Sequence, residues 1–78
     1  MNREYGDARY TTSAVRDRKE GYAGLELHRT SKRDTKRVAR VVFWDASGQF
    51  FFETFDADIP LDIAEELIAE AKKTIKVR

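Results

Sequence analysis

The residues that could run covalent or acid–base chemistry are few in this 78-residue chain. There is one histidine, His28, no cysteine, and three serines, Ser13, Ser31 and Ser47. Without a cysteine or a second histidine, one chain can build neither a Cys–His pair nor a multi-histidine metal site. None of the serines sits in a G-x-S-x-G setting. The four glycines, Gly6, Gly21, Gly24 and Gly48, form neither a dinucleotide fingerprint nor a phosphate loop. The acids Asp56, Asp58 and Asp62, with Asp45 as a spatial candidate, could face a hard cation, but their spacing is not that of a calcium loop. Asp58 and Asp62 are accounted for by the start of a helix, where carboxylates complement the dipole. The sequence therefore points to a non-catalytic protein with no metal and no small-molecule cofactor. A small enzyme assembled across a subunit interface, drawing His28 from two chains, is the one catalytic arrangement left.

The basic residues offer more. Arg29, Lys32, Arg33, Lys36, Arg37 and Arg40 fall within a dozen positions, interrupted by a single acid, Asp34. A mobile basic loop supplies phosphate contacts, and neighbouring aromatic rings supply stacking platforms, the two ingredients of single-stranded nucleic-acid binding. Neither an RNP-type nor a KH-type signature accompanies them. Charge is also unevenly spread. Through residue 40 there are 11 Lys+Arg against 6 Asp+Glu, and from residue 41 onward 4 against 8, which together give the net +1. Such a dipolar chain could meet an anionic partner or a second copy of itself, or could simply carry a solvated surface.

Positioning these residues falls to a small set of elements. A chain this short makes one domain that buries only about 60% of its unfolded surface. Residues 1–20 carry little apolar surface to offset the entropy of ordering them, and read as a flexible arm. Within it, residues 9–15 lean toward β composition and could dock as a fourth, edge strand. Residues 21–78 form the domain proper. Residues 22–29 alternate, with Leu25 and Leu27 on one face and Glu26 and His28 on the other, as in a half-buried strand. Residues 30–36 read as a polar loop, 38–44 as the strongest strand, 45–48 as a tight turn with Gly48 at positive φ, and 50–55 as the returning strand. Beyond Pro60, the spacing of Ala64, Leu67, Ile68, Ala71 and Ile75, extended by Leu61 and Ile63, predicts a helix with one buried stripe. Asp62, Glu65, Glu66 and Glu70 precede Lys72, Lys73 and Lys76, in the order the helix dipole favours. The expected fold is thus α+β, a three-stranded antiparallel sheet packed on one C-terminal helix in β-β-β-α order.

Two hairpin registers compete, and side chains choose between them. A three-residue loop sets Val41 against Glu53 and buries a carboxylate on an apolar face. A four-residue loop sets Arg40 against Glu53 as a cross-strand ion pair, contributing roughly 0.2–1 kcal/mol. The second is expected. It gathers Ala39, Val41, Phe43, Phe50 and Phe52 beneath the helix and leaves Val38, Val42, Trp44, Phe51 and Phe55 on the other face. One helix cannot cover both faces. An uncovered apolar face marks an interface unless residues 1–20 fold across it.

The strand–strand–strand–helix order resembles one repeat of the transcriptional-coactivator and Pur-type single-strand binders, in topology alone and with one strand fewer. Two readings follow. In the first, Lys32, Arg33, Lys36 and Arg37 hold phosphates while Trp44 and Phe51 stack bases. In the second, Val38, Val42, Trp44, Phe51 and Phe55 form a protein interface, with a homodimer as one form. Charges occupy the first residues where a signal peptide would have an apolar run, and no stretch reaches the roughly 18 apolar residues of a membrane span. A cytoplasmic location, of bacterial type, is expected.

Overall fold

The structure, a computed structural model, describes residues 1–75. It contains five strands and one helix: β1 (Asn2–Tyr5), β2 (Ala8–Asp17), β3 (Tyr22–Ser31), β4 (Asp34–Trp44), β5 (Gln49–Thr54) and α1 (Leu61–Thr74). The strands form a single antiparallel meander in the order β1-β2-β3-β4-β5. This corrects the expected three strands, with or without a fourth. The two additional strands come from residues 1–20, and the element order of the single-strand-binder repeat is exceeded accordingly.

Apolar content misled here because β2 is held by other forces. Ten residues of β2 pair in unbroken register with β3, from Ala8↔Ser31 to Asp17↔Tyr22. Only Tyr10 of that strand is buried. The remaining anchors are polar. Thr12 Oγ1 donates to Glu70 at 2.8 Å, and Arg3 of β1 reaches Asp62 and Glu66 on α1 at 3.0 and 2.9 Å. A saturated backbone ladder plus such contacts orders a segment that an apolar count would leave loose.

The core lies between one sheet face and α1, which rests mainly on β3 and β4. Leu25, Leu27, Ala39, Val41 and Phe43 meet Ile63, Leu67, Ala71 and Ile75. Fully burying a leucine such as Leu27 or Leu67 contributes roughly 1.5–3 kcal/mol, and both are completely excluded from solvent. The helix follows Pro60 as expected, with Asp62 in its first turn and Lys72 and Lys73 in its last. Leu61 departs from the expected stripe and is 75% exposed. Lys76 lies outside the described residues.

The β4–β5 hairpin adopts the expected register, Arg40 opposite Glu53, across a turn with Gly48 at φ 66°. Two other details differ from expectation. The 30–36 connection is not a loop: β3 and β4 run to Ser31 and Asp34, joined by a turn at Lys32–Arg33 with Lys32 at φ 59°. A β-bulge also shifts the β3–β4 register, since Leu27 faces Ala39 while His28 faces Arg37. The extra residue is Val38. It is displaced from the outer face into the core cluster, where it is buried.

Candidate functional site

No element of the described chain crosses the outer face of the sheet. Period-2 alternation places there Tyr22, Gly24, Glu26 and His28 of β3, Arg37, Arg40, Val42 and Trp44 of β4, and Phe51 and Glu53 of β5. Residues 1–20 do not fold across this face. They lengthen the sheet beside β3.

Much of the expected apolar surplus is covered by its own neighbours. Val42 faces Gly24 on one side and Phe51 on the other and has no exposed surface. The Arg40 guanidinium lies 5.8 Å from the Tyr22 ring and donates to Glu53. Gly24 is closely packed by its own neighbours, since a Cβ there would stand 3.2 Å from both Val15 Cγ2 and the Val41 carbonyl. Trp44 is half-buried against Tyr22, with ring centroids 4.8 Å apart. Phe55 is half-buried beneath the Arg37 guanidinium at 4.4 Å. Of the five residues assigned to an interface, Val38 belongs to the core, Val42 is covered within the chain, and Trp44 and Phe55 are half-covered. Phe51 alone is widely exposed, at 46%.

Of the three widely exposed rings among the described residues, two lie together on the β5 edge, and the third, Tyr5 at 46%, is on β1. Phe52, on the opposite side of β5 from Phe51, is 42% exposed, because α1 rests mainly over β3 and β4. Alternation alone had placed Phe52 in the core; only the helix position reveals its exposure. Tyr22 was legible, since it shares the Glu26 and His28 face at even spacing.

The residues assigned to nucleic acid do not converge. Lys32 and Arg33 occupy the β3–β4 turn, and Trp44 ends β4, roughly 30 Å away at about 3.3 Å per residue. Lys36 points to the helix side of the sheet, opposite Arg29, and lies 3.7 Å from Asp34. Arg37 is bound to Glu26 at 2.8 Å, Arg40 to Glu53 at 3.1 Å and Arg9 to Glu4 at 2.6 Å. Every arginine on the outer face is therefore matched by a carboxylate. A shallow groove beside the turn interleaves Arg29, Lys32 and Lys36 with Asp34, Asp56 and Asp58.

His28 does acquire a hydroxyl and an acid. Ser13 Oγ is 3.0 Å from His28 Nε2, and Glu26 Oε1 is 3.7 Å from the same nitrogen. A nucleophile–base relay needs the hydroxyl and the carboxylate on opposite ring nitrogens, so that one orients the imidazole while the other is deprotonated. Here both approach Nε2, and Glu26 is already engaged by Arg37. The trio is a cross-strand polar contact. Among the described residues no three His, Asp or Glu side chains group as metal ligands, and Asp62 is committed to Arg3. No helix among them is long and apolar enough to cross a membrane.

Comparison with protein-family models, with curated proteins and with solved structures finds no match to this chain.

Proposed function

We propose that this chain is a non-catalytic interaction module whose working surface is the open edge of β5, and that its partner is a protein offering an extended strand. One observation carries the reading. Phe51 and Phe52 project from opposite faces of the same edge strand and are 46% and 42% exposed. An edge strand presents unpaired backbone N–H and C=O groups, and strand addition uses those groups for affinity and the flanking side chains for specificity. The matched charges of the outer face suit a neutral, apolar partner rather than a polyanion, which draws its affinity from unpaired cations. A cytoplasmic location belongs to the same proposal, supported by a cysteine-free composition.

Selection of extended peptides from a displayed library, followed by titration of the tightest binder, tests it. Peptides with alternating apolar residues are expected to bind, and to lose at least about tenfold in affinity against Phe51→Lys, as central aromatic contacts do. A fluorescent single-stranded oligonucleotide titrated at low and high salt is expected to show no binding. If no peptide binds and the chain does not self-associate, the reading is wrong. Salt-sensitive oligonucleotide binding in place of peptide binding would favour the basic turn instead.

A further inference from the structure

Resting on the reading that β5 is a docking edge, we infer that the strand it accepts is β5 of a second copy of this chain. The two strands run antiparallel about a twofold axis at Phe51, joining two five-stranded sheets into one.

Backbone geometry limits how two β5 strands can meet. The Phe55 N–H donates to the Val38 carbonyl at 3.0 Å. In an antiparallel ladder, inward and outward backbone groups alternate residue by residue. Gln49, Phe51 and Glu53 therefore turn their backbone groups toward β4, and Phe50, Phe52 and Thr54 turn theirs outward. Only registers that set even-numbered residues against even-numbered residues form hydrogen bonds across the new seam.

Side chains decide among those registers. An axis at Glu53 opposes two like carboxylates, and an axis at Phe52 sets each Phe51 against a carboxylate; both are unfavourable pairs. An axis at Phe51 pairs Gln49 through Glu53 without such a conflict. Phe51 meets Phe51 of the partner subunit in a non-hydrogen-bonded pair, the closer of the two pair types. Phe50 and Phe52 exchange about four backbone hydrogen bonds with the partner's Phe52 and Phe50. Gln49 faces the partner's Glu53, whose Oε1 already accepts from Arg40 and whose second oxygen is open to the amide.

The axis stands perpendicular to the sheet, so both helices lie on one side. The exposed Phe52 and the half-buried Phe50 of each copy then close the gap between the helices. Pairing β5 with β1 of another copy would repeat without closing and build a fibre. That alternative is disfavoured because β1 has four residues, two of them charged.

Sedimentation from about 1 to 200 µM, the weak end of protein interface affinities, is expected to give twice the 9.1 kDa chain mass at the upper concentrations. Because the chain has no cysteine, Phe51→Cys forms disulfides only between copies. A non-hydrogen-bonded pair holds its Cα atoms about 4.5 Å apart, within disulfide reach. Phe51→Cys is expected to cross-link far faster than Ser47→Cys, which lies on an exposed turn away from the axis. Gln49 is exposed and neutral, so placing a charge there leaves the fold intact. Gln49→Glu should weaken the dimer and Gln49→Lys strengthen it, each by about threefold to tenfold for two opposed pairs. A chain that stays monomeric overturns the inference, and so does a dimer indifferent to the sign at position 49. Equal cross-linking of the two cysteine variants also overturns it. A monomer that still captures displayed peptides at β5 refutes the second copy alone, whereas a monomer that captures none refutes the docking edge as well.

Discussion

The two edges of this sheet are built on opposite rules. At β1 the strand is four residues long and its charged side chains are paired, with Tyr5 its one widely exposed ring at 46%. Arg3 binds Asp62 and Glu66 of the helix, Glu4 binds Arg9, and the Met1 ammonium reaches Glu70 and Thr12, each at 2.7 Å. Shortness and charge are the ordinary means by which proteins blunt an edge. At β5 neither is used. Six residues run Gln-Phe-Phe-Phe-Glu-Thr, with one charge and no proline, and two rings stand in solvent. A sheet that guards one edge and leaves the other bare can grow in one direction only. Growth through an isologous contact stops after one step, which distinguishes a designated docking edge from an aggregation hazard.

Perturbations should separate the edges in a definite order. The largest effect is expected where they share a core. Leu67→Ala removes a fully buried side chain and should cost about 2–5 kcal/mol in chemical denaturation, loosening both edges together. Next, Phe51→Lys combined with Phe52→Lys should weaken self-association at least about tenfold, equivalent to about 1.4 kcal/mol, while β1 is unaffected. Arg3→Ala should do the reverse. Its two ion pairs are exposed and screened, so the loss is at most about 1 kcal/mol, read as faster amide exchange in β1 with association unchanged. The smallest effect is expected at Lys32, held at φ 59° in the β3–β4 turn. Lys32→Gly should raise stability by a few tenths to about 1 kcal/mol, because glycine adopts that conformation freely but loses more entropy on folding.

The parts of this fold that were legible in the sequence are those settled by local physics. The Arg40–Glu53 register was readable because the competing register buries a carboxylate. The helix after Pro60 was readable from one stripe at period 3.6, although Leu61 fell outside it. What stayed hidden depended on distant partners. Residues 1–20 look too polar to order until β3 is seen to offer a ten-residue edge and α1 to offer Glu66 and Glu70. Val38 seemed bound for the outer face because a bulge opposite Leu27 and His28 leaves no pattern in sequence. The basic stretch from Lys32 to Lys36 resembled a loop because its turn lacks glycine and asparagine. For the candidate site, alternation named Trp44 and Phe51, but the exposure of Phe52 depended on where the helix came to rest. The five-residue apolar face proved mostly self-covered, which moves the exposed aromatic surface from a face to an edge.

Residue-resolved amide exchange at low and high protein concentration compares the two edges in one experiment. The outward amides of Phe50 and Phe52 should slow markedly as concentration rises, while those of Asn2 and Glu4 at the β1 edge keep their rates. Equal exchange at both concentrations along β5, or protection arising at β1 instead, would contradict the assignment of β5 as the docking edge.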